Sequence, residues 1–227
     1  VKPKGYRRVQ DEARELFRFH HSRKSQTRYH KGWMIMDLLL VLAAYLLGSL
    51  TFGQIAGLIK GFNLAERDTP GGSGTFRQLG AGWGIAVVLA DVLKGVLVAY
   101  LSQFAQAVWA MPLMGAAVVA GHNWPIYFGF RGGGGIAPTI GFFGFLYLDS
   151  VLAAVAIGLG LAAVYWLAYW RNHPKSWYPI PVGAAFGYLY ALIALWPTGA
   201  GFWALLLVSL MVVIRGLNIA QRKRLHP

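Results

Sequence analysis

Seven apolar runs divide most of the chain: Trp33–Ile59, Ala81–Leu101, Phe104–Ala120, Ile136–Leu148, Ser150–Trp170, Ile180–Trp196 and Phe202–Ile214. A helix needs about 20 residues to cross roughly 30 Å of hydrocarbon, and several of these runs reach that length. Ile136–Leu148 is short for a full crossing and Phe202–Ile214 is brief. Charged residues are only 13% of the 227, against about a quarter in a soluble domain, and 56% are hydrophobic. With a mean hydropathy of +0.48, too few polar groups remain to cover a soluble surface. The runs therefore predict an all-α integral membrane protein with about seven transmembrane helical segments. Three regions are expected: a basic N-terminal arm over 1–32, a membrane helical domain over 33–215, and a basic C-terminal tail over 216–227.

Charge adds a direction. Twenty-one Lys+Arg against eight Asp+Glu give +13, an excess suited to anionic headgroups or anionic substrates. The basic residues sit in short loops and one arm beside apolar runs, so nucleic acid is not an expected partner. The absence of Cys excludes disulfides and thiolate chemistry. Ser102-Gln103, Asp149 and Pro197–Ala200 carry no Lys or Arg, whereas Lys60–Gly80, Gly121–Gly135, Arg171–Pro179 and Arg215–Pro227 all do. With seven crossings the four basic segments share one face, which the positive-inside rule makes cytoplasmic. The arm then lies outside, against its own ten Lys/Arg. It reads equally as a solvated arm or as one that binds lipid or a protein partner.

Chemistry concentrates in the loops. Gly121-His122-Asn123-Trp124-Pro125 leads to Arg131-Gly132-Gly133-Gly134-Gly135 before an apolar helix. Glycines expose backbone amides, and before a helix N-terminus such amides cradle phosphate, with Arg131 adding fixed charge. The same run also reads as a flexible turn. Asp91 and Lys94, at i and i+3 inside the second run, share a helix face and form either a structural pair or a catalytic one. Asp37, near the start of the first run, is explained by interfacial exposure. His122 reads as a base, a ligand or an interfacial residue, and no second His or carboxylate at ligand spacing supports a metal. Pro70–Arg77 is a second flexible polar loop, with Ser73 and Arg77, and Asn218 follows the last run.

As a set these motifs resemble the bacterial acyl-phosphate-dependent glycerol-3-phosphate acyltransferases, the PlsY family. Gly48-Ser49-Leu50-Thr51-Phe52-Gly53 is similar to the family's GSIPFG, and Asp91-Val92-Leu93-Lys94-Gly95 matches its DxxKG. The segment from Gly121-His122 to Gly135-Ile136-Ala137 resembles its GHxFP…FKGGKGVAT. The resemblance implies a multi-pass enzyme of the bacterial inner membrane with its site at the cytoplasmic surface. It would move an acyl group from acyl phosphate to the 1-hydroxyl of glycerol 3-phosphate, giving lysophosphatidic acid, with no metal or nucleotide cofactor. Ser73, Arg77 and Asn218 are the catalytic candidates it implies. Arg131, Gly132, Gly133, Gly134 and Gly135 are the phosphate-binding candidates, and Ser49, Asp91, Lys94 and His122 form further polar core.

The departures fall on the functional loops. Relative to the family pattern, the first loop lacks about six residues, including both asparagines. The lysine of GGKG is Gly134, and the histidine of HRxNIxR is Arg215. Positioning groups act as a unit, so these changes together predict a family member that has lost full activity. It would serve as a pseudoenzyme subunit or scaffold among other membrane-protein subunits and lipids. The alternative is an active acyltransferase.

Overall fold

The computed structural model describes residues 31–174 and 176–225, with side chains to Gln221. The basic arm expected over 1–32 lies almost wholly outside the described residues. Ten α-helices follow one another among those residues: α1 (31–49), α2 (Phe52–Ile59), α3 (Leu64–Arg67), α4 (Gly72–Leu79), α5 (Ala81–Leu101), α6 (Ala110–Asn123), α7 (Ile136–Leu146), α8 (Leu148–Ala168), α9 (Pro179–Leu195) and α10 (Ala200–Leu225). Among the described residues, five segments are long and apolar enough to cross a membrane: Lys31–Ile59, Ala81–Phe104, Leu148–Ala168, Pro179–Thr198 and Ala200–Gln221. The protein is an all-helical, multi-pass integral membrane protein. The expected seven is approximate because α6 and α7 have only 14 and 11 residues, about 21 and 16 Å at the usual rise.

α10 is longer than its apolar run suggested. It continues for 26 residues, through Arg215 and into the basic tail, where a new region was expected at 216. Charge ended the apolar pattern there, but Arg, Lys, Gln and Leu are good helix formers and the backbone carries on. The Pro70–Arg77 segment likewise differs from the flexible loop expected of it, because Gly72–Leu79 forms α4.

The helices cross on glycine. A Cβ at Gly95 of α5 would meet the Pro138 carbonyl oxygen of α7 at 2.2 Å, and one at Gly141 of α7 would meet that of Val92 at 2.0 Å. α8 and α9 approach through Gly158 and Gly183 in the same way. In lipid, helix association relies on such close packing, since hydrocarbon around the helices gives no hydrophobic drive. Val98, Met114, Val118, Phe142, Phe143 and Val208 fill the core between α5, α6, α7 and α10. Leu, Ile and Val side chains such as Leu89, Leu93, Leu152 and Ile193 stand exposed on the outside, where acyl chains solvate them.

The two ends of the bundle are built differently. At one end Asp37 is buried, not interfacial as expected: its carboxylate accepts the amides of Gln106 and Ala107 at 2.9 and 2.8 Å, tying α1 to the α5–α6 turn. At the other end the α2–α5, α6–α7 and α8–α9 connections come together, and Arg215 of α10 reaches them. Gly71 approaches Gly133, Arg77 stands over the Tyr178 ring, and Arg215 bonds the glycine run. The four basic segments therefore share one face.

Candidate active site

The glycine run is a folded loop. α6 ends at Asn123, so His122 and Asn123 belong to its last turn, and their carbonyls take the amides of Gly133 and Gly132 at 3.0 and 3.2 Å. On α10, Arg215 is buried; its Nε donates to the Gly133 carbonyl at 3.0 Å and its Nη2 to that of Gly132. Of the four glycine amides, two are thus used inside the fold. Those of Gly134 and Gly135 donate to nothing among the described residues. Gly135, at φ +87°, then opens α7 with no side chain to cap it. The first-turn amides of Ile136 and Ala137 are left free of side-chain caps, at the positive end of the helix. Asn123 lies under Gly135, fully buried, and both polar atoms of its side chain lack a partner among the described residues.

Beneath this loop lies the Asp91, Lys94 and His122 cluster. Lys94 Nζ is 2.8 Å from Asp91 Oδ1, 3.0 Å from His122 Nδ1, and donates to the carbonyls of Gly48 and Leu50 at 3.0 and 2.9 Å. Those two carbonyls are exposed by the break between α1 and α2, where Thr51 takes an extended conformation before α2 begins. All three side chains are buried. They close the broken helix and support the loop, since Lys94 takes both carbonyls and the His122 ring fills the space a Cβ on Gly133 would need. Ser49 is also structural: it donates to the Tyr45 carbonyl at 2.9 Å and receives the Ile126 amide. Among the described residues no group of three His, Asp or Glu could hold a metal ion.

The other candidates lie around the rim. Ser73 is exposed on the first turn of α4, two residues after Gly71, which packs on Gly133. Arg77, one turn further along α4, pairs with Asp68 at 2.7–2.8 Å. The bond to Asp68 raises the proton affinity of its guanidinium above the ordinary value. Asn218 is half-buried on α10, one turn beyond Arg215, and Arg131 is exposed beside the glycines. Among the described residues, no hydrogen bond joins Ser73, Asn218 or the Arg131 side chain to the glycine amides. Sequence reasoning missed two residues here. Arg215 was visible as the start of the basic tail and as a departure from a motif, not as a site residue, and Asn123 only as a letter between His122 and Trp124. A cavity of about 110 Å³ begins beside the loop at Ile136 and Thr139. It runs between α7, α8, α9 and α10 to Leu195 and Leu205 with an almost wholly apolar lining.

Amides without side-chain caps and an apolar cavity thus adjoin at one end of a multi-pass helical bundle. The glycerol-3-phosphate acyltransferase family model matches residues 38–224. A glycerol-3-phosphate acyltransferase of Aquifex aeolicus is 31% identical over 189 residues, covering 80% of this chain and 93% of that one. Glycerol-3-phosphate acyltransferase 2 of Deinococcus radiodurans is 45% identical over 126 residues, covering 54% and 64%. The chain thus spans about two thirds of the length of the Deinococcus relative. The crystal structure of the integral membrane glycerol 3-phosphate acyltransferase PlsY (YgiH), in its glycerol 3-phosphate form, superposes with a TM-score of 0.69 at 26% identity, over 82% of this chain and 91% of that one. The chain belongs to the glycerol-3-phosphate acyltransferase family.

Proposed function

We propose that this chain is an active acyltransferase that moves a fatty acyl group from acyl phosphate to the 1-hydroxyl of glycerol 3-phosphate. The observation that carries this reading is the set of unused donors at the mouth of α7. Among the described residues, the amides of Gly134 and Gly135 and the first-turn amides of α7 have no acceptor, and the buried Asn123 amide beside them has none either. A phosphate is the ligand such donors suit. The apolar cavity that starts at Ile136 gives the acyl chain of the donor a place contiguous with its phosphate.

Acyl phosphate is a mixed anhydride and is already activated. The glycerol hydroxyl oxygen forms a bond to the acyl carbon, the anhydride C–O bond breaks, and phosphate leaves with the hydroxyl proton. The protein's part is to bind two phosphates, align the hydroxyl and stabilise charge on the leaving group. The free amides serve the donor phosphate. Arg131, Ser73, Arg77 and Asn218, on the same face as these amides, are the residues we assign to glycerol 3-phosphate. No metal or nucleotide is needed for these steps. The shared loop face is assigned to the cytoplasm of a bacterial inner membrane.

The motif departures do not require lost activity. Arg215, at the position of the family's histidine, holds the loop, and Gly134, at the position of its lysine, presents an amide. A scaffold role among other membrane subunits has no support among the relatives, whose names are those of acyltransferases. The test is direct: protein purified in detergent and given palmitoyl phosphate with glycerol 3-phosphate should make lysophosphatidic acid. Product no greater than a boiled control overturns the proposal.

A further inference from the structure

Arg215 does more than fill the end of α10. It is buried, and its guanidinium reaches across to two successive carbonyls of the glycine run, with Nε at 3.0 Å from that of Gly133 and Nη2 on that of Gly132. A trans peptide is planar, so the carbonyl of one residue and the amide of the next point in opposite directions. Holding the Gly132 carbonyl toward α10 sends the Gly133 amide the other way, where it meets the His122 carbonyl at 3.0 Å. Holding the Gly133 carbonyl inward likewise sends the Gly134 amide outward. Gly134 is half-exposed, a Cβ there would meet nothing within 4 Å, and its amide has no acceptor among the described residues.

Glycine peptides resist rotation little, because no Cβ restricts φ and ψ. Without the guanidinium, the Gly133–Gly134 peptide is free to turn over and present its carbonyl oxygen at the mouth of α7. A carbonyl there repels an anion; an amide there binds one. We propose that Arg215 is a positioning residue that fixes this peptide with its amide outward and so creates the phosphate-binding state of the loop. The inference rests on the reading of the loop as the acyl-phosphate site, since the cavity at Ile136 joins the chain of that substrate to these amides. Nitrogens that bond two carbonyls in parallel explain why a guanidinium stands here, as an imidazole or an ammonium does not offer that fork.

The experiment compares the parent protein with Arg215→Ala and Arg215→Lys in detergent. In Arg215→Ala, KM for palmitoyl phosphate should rise about tenfold, with KM for glycerol 3-phosphate and kcat at saturation little changed. Millimolar guanidinium chloride should restore KM in Arg215→Ala and leave the parent unaffected. Arg215→Lys should fall between the two. Hydrogen exchange followed by mass spectrometry provides a readout without activity: a peptide spanning 129–136 should exchange faster in Arg215→Ala, and peptides from α8 and α9 should not change. If the parent makes no lysophosphatidic acid, the acyltransferase reading fails, and the positioning role is judged on exchange alone. An unchanged exchange rate overturns the positioning role. So does an active Arg215→Ala with the parent's KM, or a general loss of kcat and stability that guanidinium does not rescue.

Discussion

Four consecutive glycines behave as four different residues. Gly133 has the imidazole of His122 where its Cβ would go, at 2.2 Å from Nε2, and Gly135 sits at φ +87°. Gly134 has open space. Gly134→Ala should therefore leave thermal stability in detergent within about 0.5 kcal/mol of the parent, while Gly133→Ala should cost about 1–3 kcal/mol by displacing a packed ring. Equal melting temperatures for the two variants would refute this account of the loop. The open space also admits the longer side chain of the family motif. Gly134→Lys should fold normally and bind inorganic phosphate more tightly by about 1 kcal/mol, the value of one added charge-assisted hydrogen bond, as measured by titration calorimetry. Weaker binding would place the anion elsewhere. A string of identical letters carries none of these distinctions, because they come from His122, Asn123 and Arg215 arriving from other helices.

At the scale of the element, the break between α1 and α2 depends on one ammonium. Lys94 neutralises Asp91 and satisfies the carbonyls of Gly48 and Leu50. Lys94→Met leaves a buried carboxylate and two carbonyls without a donor, and should destabilise the protein by about 3–5 kcal/mol. The double variant Asp91→Asn with Lys94→Met removes the uncompensated charge and should recover part of that loss. Melting curves in detergent check both, and a mild single variant would show that the pair is not holding the break. The i, i+3 spacing of Asp91 and Lys94 made the ion pair readable in the sequence, as the apolar runs made the long helices readable. Their partners were not readable: His122 lies 28 positions from Lys94 and Gly48 lies 46 away. Periodicity reports a helix's own faces and is silent on which face meets which. It also failed where polar sequence is helical: in α4, which is held by packing on α5, and in the end of α10, which good helix formers carry on.

At the scale of the molecule, all basic loops gather at one end and Asp37 closes the other. If the loop end is cytoplasmic, a cysteine introduced at Val108 should react with an impermeant thiol reagent in intact cells, and one at Ser73 should not. Both positions are exposed and the chain has no native Cys, so the signal is unambiguous. Labelling at Ser73 alone inverts the assigned orientation. The expected external placement of residues 1–32 stands or falls with the same result. What lies between the two ends is held by glycine crossings, at Gly95 and Gly141 between α5 and α7 and at Gly158 and Gly183 between α8 and α9. A contact made of backbone has no rotamers to freeze, so these helices are brought together without the side-chain entropy cost that a Leu or Met seam incurs. The helix that presents the α7 amides is thereby held stiffly at one of the least entropically expensive kinds of junction a membrane protein can make.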